Sequence, residues 1–183
     1  SDIYGTMVSS GGADNNTMIK AGGVFNLSGN ASNGFKGESS RATIEQGGSA
    51  YLASDAYATE WTIQGLANLT SYSAVIENST VGSGGMLQVD AGNAIGTTVN
   101  SGGRVAVNAG AVLNNATING DLVAASYSNL LGNIAVNSGG VAEVHAAANT
   151  ALAQMAVAGH LYLNNSNIAP AGHDFAFDTL QMN

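Results

Sequence analysis

The chain has 183 residues, 45% hydrophobic and 9% charged, and its 12 acidic and 4 basic side chains give a formal net charge of −8. A nucleic-acid interface needs clustered Lys and Arg, so this balance argues against a nucleic-acid partner. There is no cysteine, which excludes disulfides and thiolate metal sites. No apolar run approaches the roughly 20 residues of a membrane helix, so this fragment is not expected to be membrane-embedded.

One phrase recurs along the chain: an apolar residue, a few polar residues, one or two glycines, and a short apolar strand. Val99–Val107 and Val136–Val144 are its clearest copies. The first glycines of the copies are Gly11, Gly22, Gly47, Gly65, Gly84, Gly102, Gly120, Gly139 and Gly159. The steps from Gly47 onward are nearly equal, whereas the first step is short and the second is long. A period of about 18 to 19 residues is typical of a stacked solenoid.

Alternating apolar residues predict strands with one inward face, because successive side chains of a strand point to opposite sides. The ladder after the glycines contains Phe25, Leu27, Ala50, Leu52, Ala67, Leu69, Leu87, Val89, Val105, Val107, Leu122, Ala124, Ala142, Val144, Leu161 and Leu163. The ladder before the glycines contains Val8, Ile19, Ile44, Ile63, Val81, Val99, Ile118, Val136 and Val157. A third and looser ladder contains Val75, Ile95, Leu113, Leu131 and Leu152.

Three inward ladders per coil predict an all-β fold, a right-handed three-faced parallel β-helix (solenoid). It would have about nine coils, each of about 18–19 residues. A left-handed hexapeptide helix also gives about 18 residues per coil, and Val99, Val105 and Ala111 are evenly spaced as that form requires. In the next coil, however, Ile118 rather than Thr117 takes the inward position, which favours the right-handed form.

The repeat predicts a single β-helical domain over residues 1–183, interrupted twice. The long step between Gly22 and Gly47 contains a polar, glycine-rich stretch and predicts a corner insertion near 29–40. A second irregular segment is predicted near 168–178, where the only proline lies.

The segments Thr97–Gly103 and Thr80–Gly85 carry a Thr, Val, Gly-Gly pattern that resembles the repeats of AIDA-type self-associating autotransporter adhesins. The resemblance covers the coils from about Ser79 to Leu163 and is looser in the first third. It implies the β-helical passenger region of a protein on the cell surface of a Gram-negative bacterium, exported through the outer membrane. It also implies copies of the protein on the same or facing cells as partners, with cell aggregation and biofilm formation as the outcome. Host-cell receptors are a second class of partner in that family.

Enzymatic activity is not expected, although β-helices also occur among polysaccharide-degrading enzymes. Glycoside hydrolysis needs two carboxylates roughly 5 to 10 Å apart. Asp90 is instead predicted to stack between Thr70 and Asn108, and Glu143 beside Tyr162. The four basic residues are dispersed, and no cofactor is expected.

Two groups of charged side chains have an alternative interpretation. Glu143 and His145 point outward from one strand above Tyr162, where a metal site is conceivable, but a solvated outer face is favoured and no metal is expected. Arg104 and Asp121 share a position on neighbouring coils, which predicts a surface ion pair.

A mostly polar ladder at one corner is the main candidate functional site. Five places after the aligned glycines come Ser28, Ala53, Thr70, Asp90, Asn108, Ala125, His145 and Asn164. Many weak hydrogen bonds between such ladders would become avid when multiplied between cell surfaces. The residues assigned to self-association are Thr70, Asp90, Asn108, Ser28, His145 and Asn164. The alternative is that these side chains are polar only because corners are exposed.

Two other functions remain open. A host-receptor or glycan-binding adhesin would need an exposed aromatic patch, for which Trp61 with Tyr57 is the available indication. A structural stalk would need a separate domain to carry.

Overall fold

The computed structural model describes residues 1–30, 32, 34–145, 149–150, 155–164 and 179–182, with the backbone alone at 149–150 and 179–182. In these residues the chain forms 25 strands. The described residues contain no helix long and apolar enough to cross a membrane. The strands pair in parallel with the equivalent strand of the next coil.

Each coil contributes one strand to each of three faces. The first face contains β1 (Asp2–Ile3), β4 (Met18–Ile19), β7 (Thr43–Ile44), β10 (Thr62–Ile63), β13 (Thr80–Val81), β16 (Thr98–Val99) and β23 (Met155–Val157). The second face contains β2 (Thr6–Ser10), β5 (Val24–Ser28), β8 (Ser49–Leu52), β11 (Leu66–Leu69), β14 (Met86–Val89), β17 (Arg104–Val107), β19 (Asp121–Ala124), β21 (Val141–His145), β24 (His160–Asn164) and β25 (Thr179–Met182). The third face contains β3 (Ala13–Asn15), β6 (Gly37–Ser40), β9 (Ala56–Thr59), β12 (Val75–Glu77), β15 (Asn93–Ile95) and β22 (Asn149–Thr150).

Two longer strands, β18 (Val112–Ile118) and β20 (Asn129–Val136), run from the third face into the first. They join these faces into one sheet of 15 strands, while the second face is a sheet of 10 strands. Ten strands on one face agree well with the predicted coil count. The prediction of a three-faced parallel β-helix is therefore confirmed.

The ladder after the glycines forms the core beneath the second face. All 16 of its predicted members are at most 3% exposed. Parallel register places Val105 between Leu87 and Leu122, and Val107 between Val89 and Ala124. Each coil buries its apolar side chains against the same position in the next coil, as solenoid stacking requires.

The predicted start of the repeat at Gly11 was wrong, and so was the predicted inward position of Val8. Val8 is 67% exposed, and the apolar position in the first coil belongs to Ile3, which pairs with Ile19. The register Thr6 to Val24 aligns the first coil on Gly5 rather than Gly11. The strand alternation then turns the side chain of Val8 outward.

The third ladder was predicted one position out of phase in most coils. Leu113 is buried as predicted, but Val75 and Ile95 are half-buried and Leu131 is 39% exposed. The inward positions belong to Ile76, Ala94, Leu113 and Leu130. Large aliphatic side chains occur on both sides of these strands, so size did not identify the inward side. Leu152 lies outside the described residues.

The corner between the third and first faces contains one residue with left-handed backbone conformation. Asn16, Arg41, Glu60, Asn78 and Asn115 have φ values between 50° and 58° there. This conformation costs an L-residue about 1–2 kcal/mol of free energy, and Asn is among the non-glycine residues that adopt it most readily. The coil therefore turns sharply at one residue, with some strain where that residue is Arg or Glu.

Trp61 lies in the core rather than on the surface, which removes the predicted exposed aromatic pair. Its side chain is 1% exposed, and its ring centroid is 6.1 Å from that of Phe25. The indole Nε1–H donates to the carbonyl oxygen of Ser39 at 3.2 Å, so the polar edge is satisfied. Tyr57 remains at the surface, where its hydroxyl donates to Glu77 at 2.7 Å.

The long step in the repeat leaves the stack between β5 and β6. Asn30 and Phe35 form an isolated antiparallel bridge, and regular strand begins again at Gly37. A Cβ atom on Gly37 would lie 2.1 Å from the carbonyl oxygen of Ser28, so only glycine fits where the chain returns. The segment predicted near 168–178 lies outside the described residues.

Candidate functional site at the polar corner

Parallel register places the predicted polar ladder at the corner between the second and third faces. The buried strand ends Leu69, Val89 and Val107 are aligned on successive coils, and Thr70, Asp90 and Asn108 follow them directly. The same register holds for His145 and Asn164, which are paired with each other. We call the residues Thr70, Asp90 and Asn108 the polar corner. Successive coils are about 4.8 Å apart, so these side chains are near neighbours.

Asp90 is the centre of a hydrogen-bonded network in the polar corner. Its Oδ1 accepts from Gln88 Nε2 at 2.7 Å and from Asn108 Nδ2 at 2.6 Å, and its Oδ2 accepts from Asn68 Nδ2 at 2.8 Å. Partial burial raises the pKa of Asp90, but the hydrogen bonds from Gln88, Asn68 and Asn108 outweigh it and hold the pKa below its usual value. Asp90 is therefore ionised at neutral pH and fixed by three amide donors.

Thr70 is ordered by the coil that precedes it. Its Oγ1 donates to the carbonyl oxygen of Leu52 at 3.1 Å, and its backbone N–H donates to the same oxygen at 2.8 Å. The side chain is exposed, and its hydroxyl oxygen keeps accepting capacity. The position below it is Ala53, so the polar row is interrupted there.

His145 and Asn164 form a second polar group with Glu143 near the C-terminal end. His145 Nε2 lies 3.0 Å from Glu143 Oε1, and Asn164 Nδ2 donates to the same oxygen. Tyr162 is paired with Glu143, as predicted. Among the described residues, no three His, Asp or Glu side chains are grouped in a way that could hold a metal ion.

Ser28 stands apart from the polar corner. It is paired with Ser10, and its carbonyl oxygen accepts from the N–H of Gly11 at 2.8 Å. The chain leaves the stack directly after Ser28 and returns across it at Gly37. Ser28 therefore contributes to the base of the insertion rather than to a row with Thr70.

Arg104 and Asp121 are in register, as predicted, but they do not form the predicted ion pair. Among the described residues a salt bridge joins Lys20 to Glu45 at 2.8 Å, and His145 contacts Glu143. Alignment on neighbouring coils brings two residues together, yet an exposed pair gains too little to fix two long side chains.

The fold has a solved counterpart. The chain is similar to the crystal structure of the TibC-catalysed hyper-glycosylated TibA 55–350 fragment, with a TM-score of 0.54 and 22% sequence identity. The match covers 100% of this chain and 76% of the TibA fragment. No family model and no curated protein sequence matches the chain. At this identity the likeness supports the β-helical fold and leaves the site to be argued from its own residues.

Sequence reasoning missed the residues that surround Asp90. Asn68 and Gln88 are paired on neighbouring strands and point outward. Asn68 lies two positions before Thr70, and Gln88 lies two positions before Asp90. Residues two apart in a strand share a side, so the alternation of the strand could have identified both. Two exposed tyrosines, Tyr72 and Tyr127, also lie at this corner, outside the repeat positions of the polar ladder. Because these corners differ in length, the two tyrosines do not recur at a constant distance from the glycines.

Proposed function

We propose that this chain is part of the surface-exposed passenger of a self-associating bacterial adhesin. Copies on the same or facing cells would bind each other, and cell aggregation and biofilm formation would follow. The repeat that resembles AIDA-type adhesins, the parallel β-helix and its likeness to the TibA fragment support this proposal. The protein would be exported through the outer membrane of a Gram-negative bacterium and act at its surface.

The observation that carries the proposal is the ordered state of the polar corner. Asp90 and Asn108 are already held in place by hydrogen bonds inside one chain. Binding a second copy then costs little additional side-chain entropy, which for a free side chain is about 0.5–1.5 kcal/mol. Asp90 Oδ2, the second N–H of Asn108 Nδ2, Asn108 Oδ1 and the Thr70 hydroxyl retain hydrogen-bonding capacity toward a partner.

Charge restricts how two polar corners can meet. A two-fold axis perpendicular to the β-helix reverses the order of coils in the second copy, and the same patch on both copies then forms the interface. If the axis passed through the coil of Asp90, the two Asp90 carboxylates would repel each other. An axis between the coils of Asp90 and Asn108 instead places each Asp90 opposite Asn108 of the second copy. We propose this second arrangement, because it pairs carboxylates with amide donors.

Binding rather than catalysis is proposed for this corner. The neighbours of the Asp90 carboxylate on adjacent coils are a hydroxyl and an amide, and three amide donors already bind it. A hydrolase would need a second carboxylate at a suitable distance.

The test replaces Thr70, Asp90 and Asn108 together by glycine in the full-length protein displayed on cells. We expect slower settling of the cells than with the parent protein, because each weak contact is multiplied between surfaces. The matched control replaces Asn100, Asn119 and Asn137 by glycine. These asparagines occupy one position on three successive coils at the corner between the first and second faces, and Asn137 donates to Asn119 at 2.7 Å.

Two results would contradict the proposal. If the parent protein does not aggregate cells, self-association itself is wrong. If the triple glycine variant of the polar corner settles like the parent, or the control variant loses as much, this corner is not the interface. Circular dichroism of both variants is the check that folding is retained.

A further inference from the structure

Two exposed aromatic side chains lie at the corner that carries Asp90. Tyr72 is 73% exposed and Tyr127 is 70% exposed. Both belong to tight turns between the second and third faces, since Ala74 N–H donates to Ser71 at 3.0 Å and Ser128 N–H donates to Ala125 at 3.1 Å. The corner therefore presents two phenol rings to solvent on coils that are three steps apart.

Unequal corner lengths bring Tyr72 across to a distant coil. The corner of its own coil has five residues between Leu69 and Val75, whereas the next corner has only three, between Val89 and Asn93. Tyr72 extends over this short corner, because a Cβ atom on Gly110 would lie 3.5 Å from its Cε1 and Oη atoms. The ring thus lies along the axis of the β-helix and above the coil that holds Asp90.

Tyr127 occupies a strained backbone position. Its φ is 63°, a conformation that favours glycine, and its carbonyl oxygen accepts from the N–H of Gly110 at 2.8 Å. In the corner one coil earlier, Gly110 itself holds the left-handed position, with φ 80°. A strained non-glycine residue with an exposed ring gives nothing to the core, and such outliers concentrate at functional positions.

We propose that the surface from Tyr72 to Tyr127 binds a neutral polysaccharide that runs along the β-helix. The two rings would stack on the apolar faces of sugar rings, and the intervening Asp90 and Asn108 would bind sugar hydroxyls. Three coil steps span about 14 Å, a length that suits a short run of sugar units. This site adds a ligand to the proposed self-association and does not depend on it.

The charges around the site select a neutral ligand. Asp90 is ionised at neutral pH, and the chain carries a net charge of −8. Between residues 70 and 128 the sequence has a single basic residue, Arg104, and it lies at the other end of its strand from the corner. An anionic polysaccharide would be repelled, whereas carboxylate and amide groups match hydroxyl donors and acceptors. The side chains between the two rings are small or polar, so the surface lacks pockets for the apolar side chains of a peptide.

The test is affinity electrophoresis of the 183-residue chain in native gels containing dextran, laminarin or galactan, with heparin and polygalacturonate as anionic comparisons. We expect retardation by at least one neutral polysaccharide and by neither anionic one. The double variant Tyr72→Ala with Tyr127→Gly should lose affinity by about tenfold or more, because each stacked ring contributes at the scale of an aromatic contact. The replacement at Tyr127 relieves its backbone strain, so loss of folding is not expected.

Tyr4→Ala is the matched control, since Tyr4 is 70% exposed but lies between β1 and β2, at a different corner. It should leave retardation unchanged, and Tyr72→Phe should keep it because the ring remains. Absence of retardation in all three neutral gels overturns the inference, as does retardation only by the anionic polymers. Equal retardation of the double variant and the parent also overturns it. If the double variant slows cell settling without changing any gel mobility, the tyrosines contact a second copy and the inference is wrong.

Discussion

Val105→Asp tests the stacked core with a charge placed at its centre. Val105 is fully buried in β17 and lies between Leu87 and Leu122 on the neighbouring coils. The substitution loses about 1.5–3 kcal/mol of apolar burial. It also buries a carboxyl group among aliphatic side chains, which costs about 2–7 kcal/mol even when the group takes up a proton. The sum of about 4–10 kcal/mol is comparable to the whole stability of a typical domain.

Ala106→Asp is the control, because the next residue of the same strand points outward. Ala106 is half-buried and lies beside Gln88. A carboxylate there stays in contact with water, so we expect a change within about 0.5 kcal/mol. The comparison holds the strand, the coil and the chemistry constant and varies only the direction of the side chain.

Urea unfolding followed by circular dichroism measures both variants. The midpoint of Val105→Asp should fall steeply, and the transition should broaden or divide, because each coil contacts only its neighbours and the stack is interrupted in the middle. A midpoint for Val105→Asp equal to that of the parent would refute the register. So would an equal loss of stability in both variants, since the inward and outward sides would then not differ.

Two further predictions concern single residues at the corners. Asp90→Asn should destabilise the chain at neutral pH by about 1–2 kcal/mol, because three amide donors lose a charged acceptor that is partly screened by solvent. The pKa of Asp90 in the folded chain is lowered, so this stabilisation is present above the usual pKa of 3.8 and is lost as the pH falls below that value. The difference in melting temperature between Asp90→Asn and the parent should therefore disappear in acid. A difference that does not change with pH would contradict the hydrogen-bonded network. Glu60→Asn should raise stability by a few tenths to about 1 kcal/mol, because Glu60 is exposed with φ 58° and Asn adopts this conformation more readily. A lower melting temperature of Glu60→Asn than of the parent would show that the Glu60 side chain stabilises the corner in another way.

The sequence was sufficient for the β-helix and for its second face. Glycine turns mark the start of each strand there, and the inward positions are all apolar, so phase and alternation agree from Phe25 to Leu163. It was insufficient where no glycine marked the phase. The third face begins after corners of three to five residues, and Val75 and Ile76 are equally suitable for a buried position by chemistry alone.

The alignment of the polar corner was predictable, but its interactions were not. Register follows from the repeat, and it correctly placed Asp90 between Thr70 and Asn108. Whether aligned side chains bond to each other depends on their rotamers and their exposure. Asp90 and Asn108 are aligned and hydrogen-bonded at 2.6 Å, whereas Arg104 and Asp121 are aligned and form no ion pair. Trp61 shows the same limit, since only the packing reveals that its ring fills the core.

The parallel pairing of coils has a mechanical consequence for a protein that would hold cells together. The hydrogen bonds between coils run along the length of the β-helix, so tension applied to its two ends pulls directly on them. Each coil is held only by the coils on either side of it, so coils would detach one at a time. Each coil that detaches would release about 60 Å of extended chain. Such a rod would lengthen in steps under load, and it would absorb work while the coils that remain stacked keep their structure.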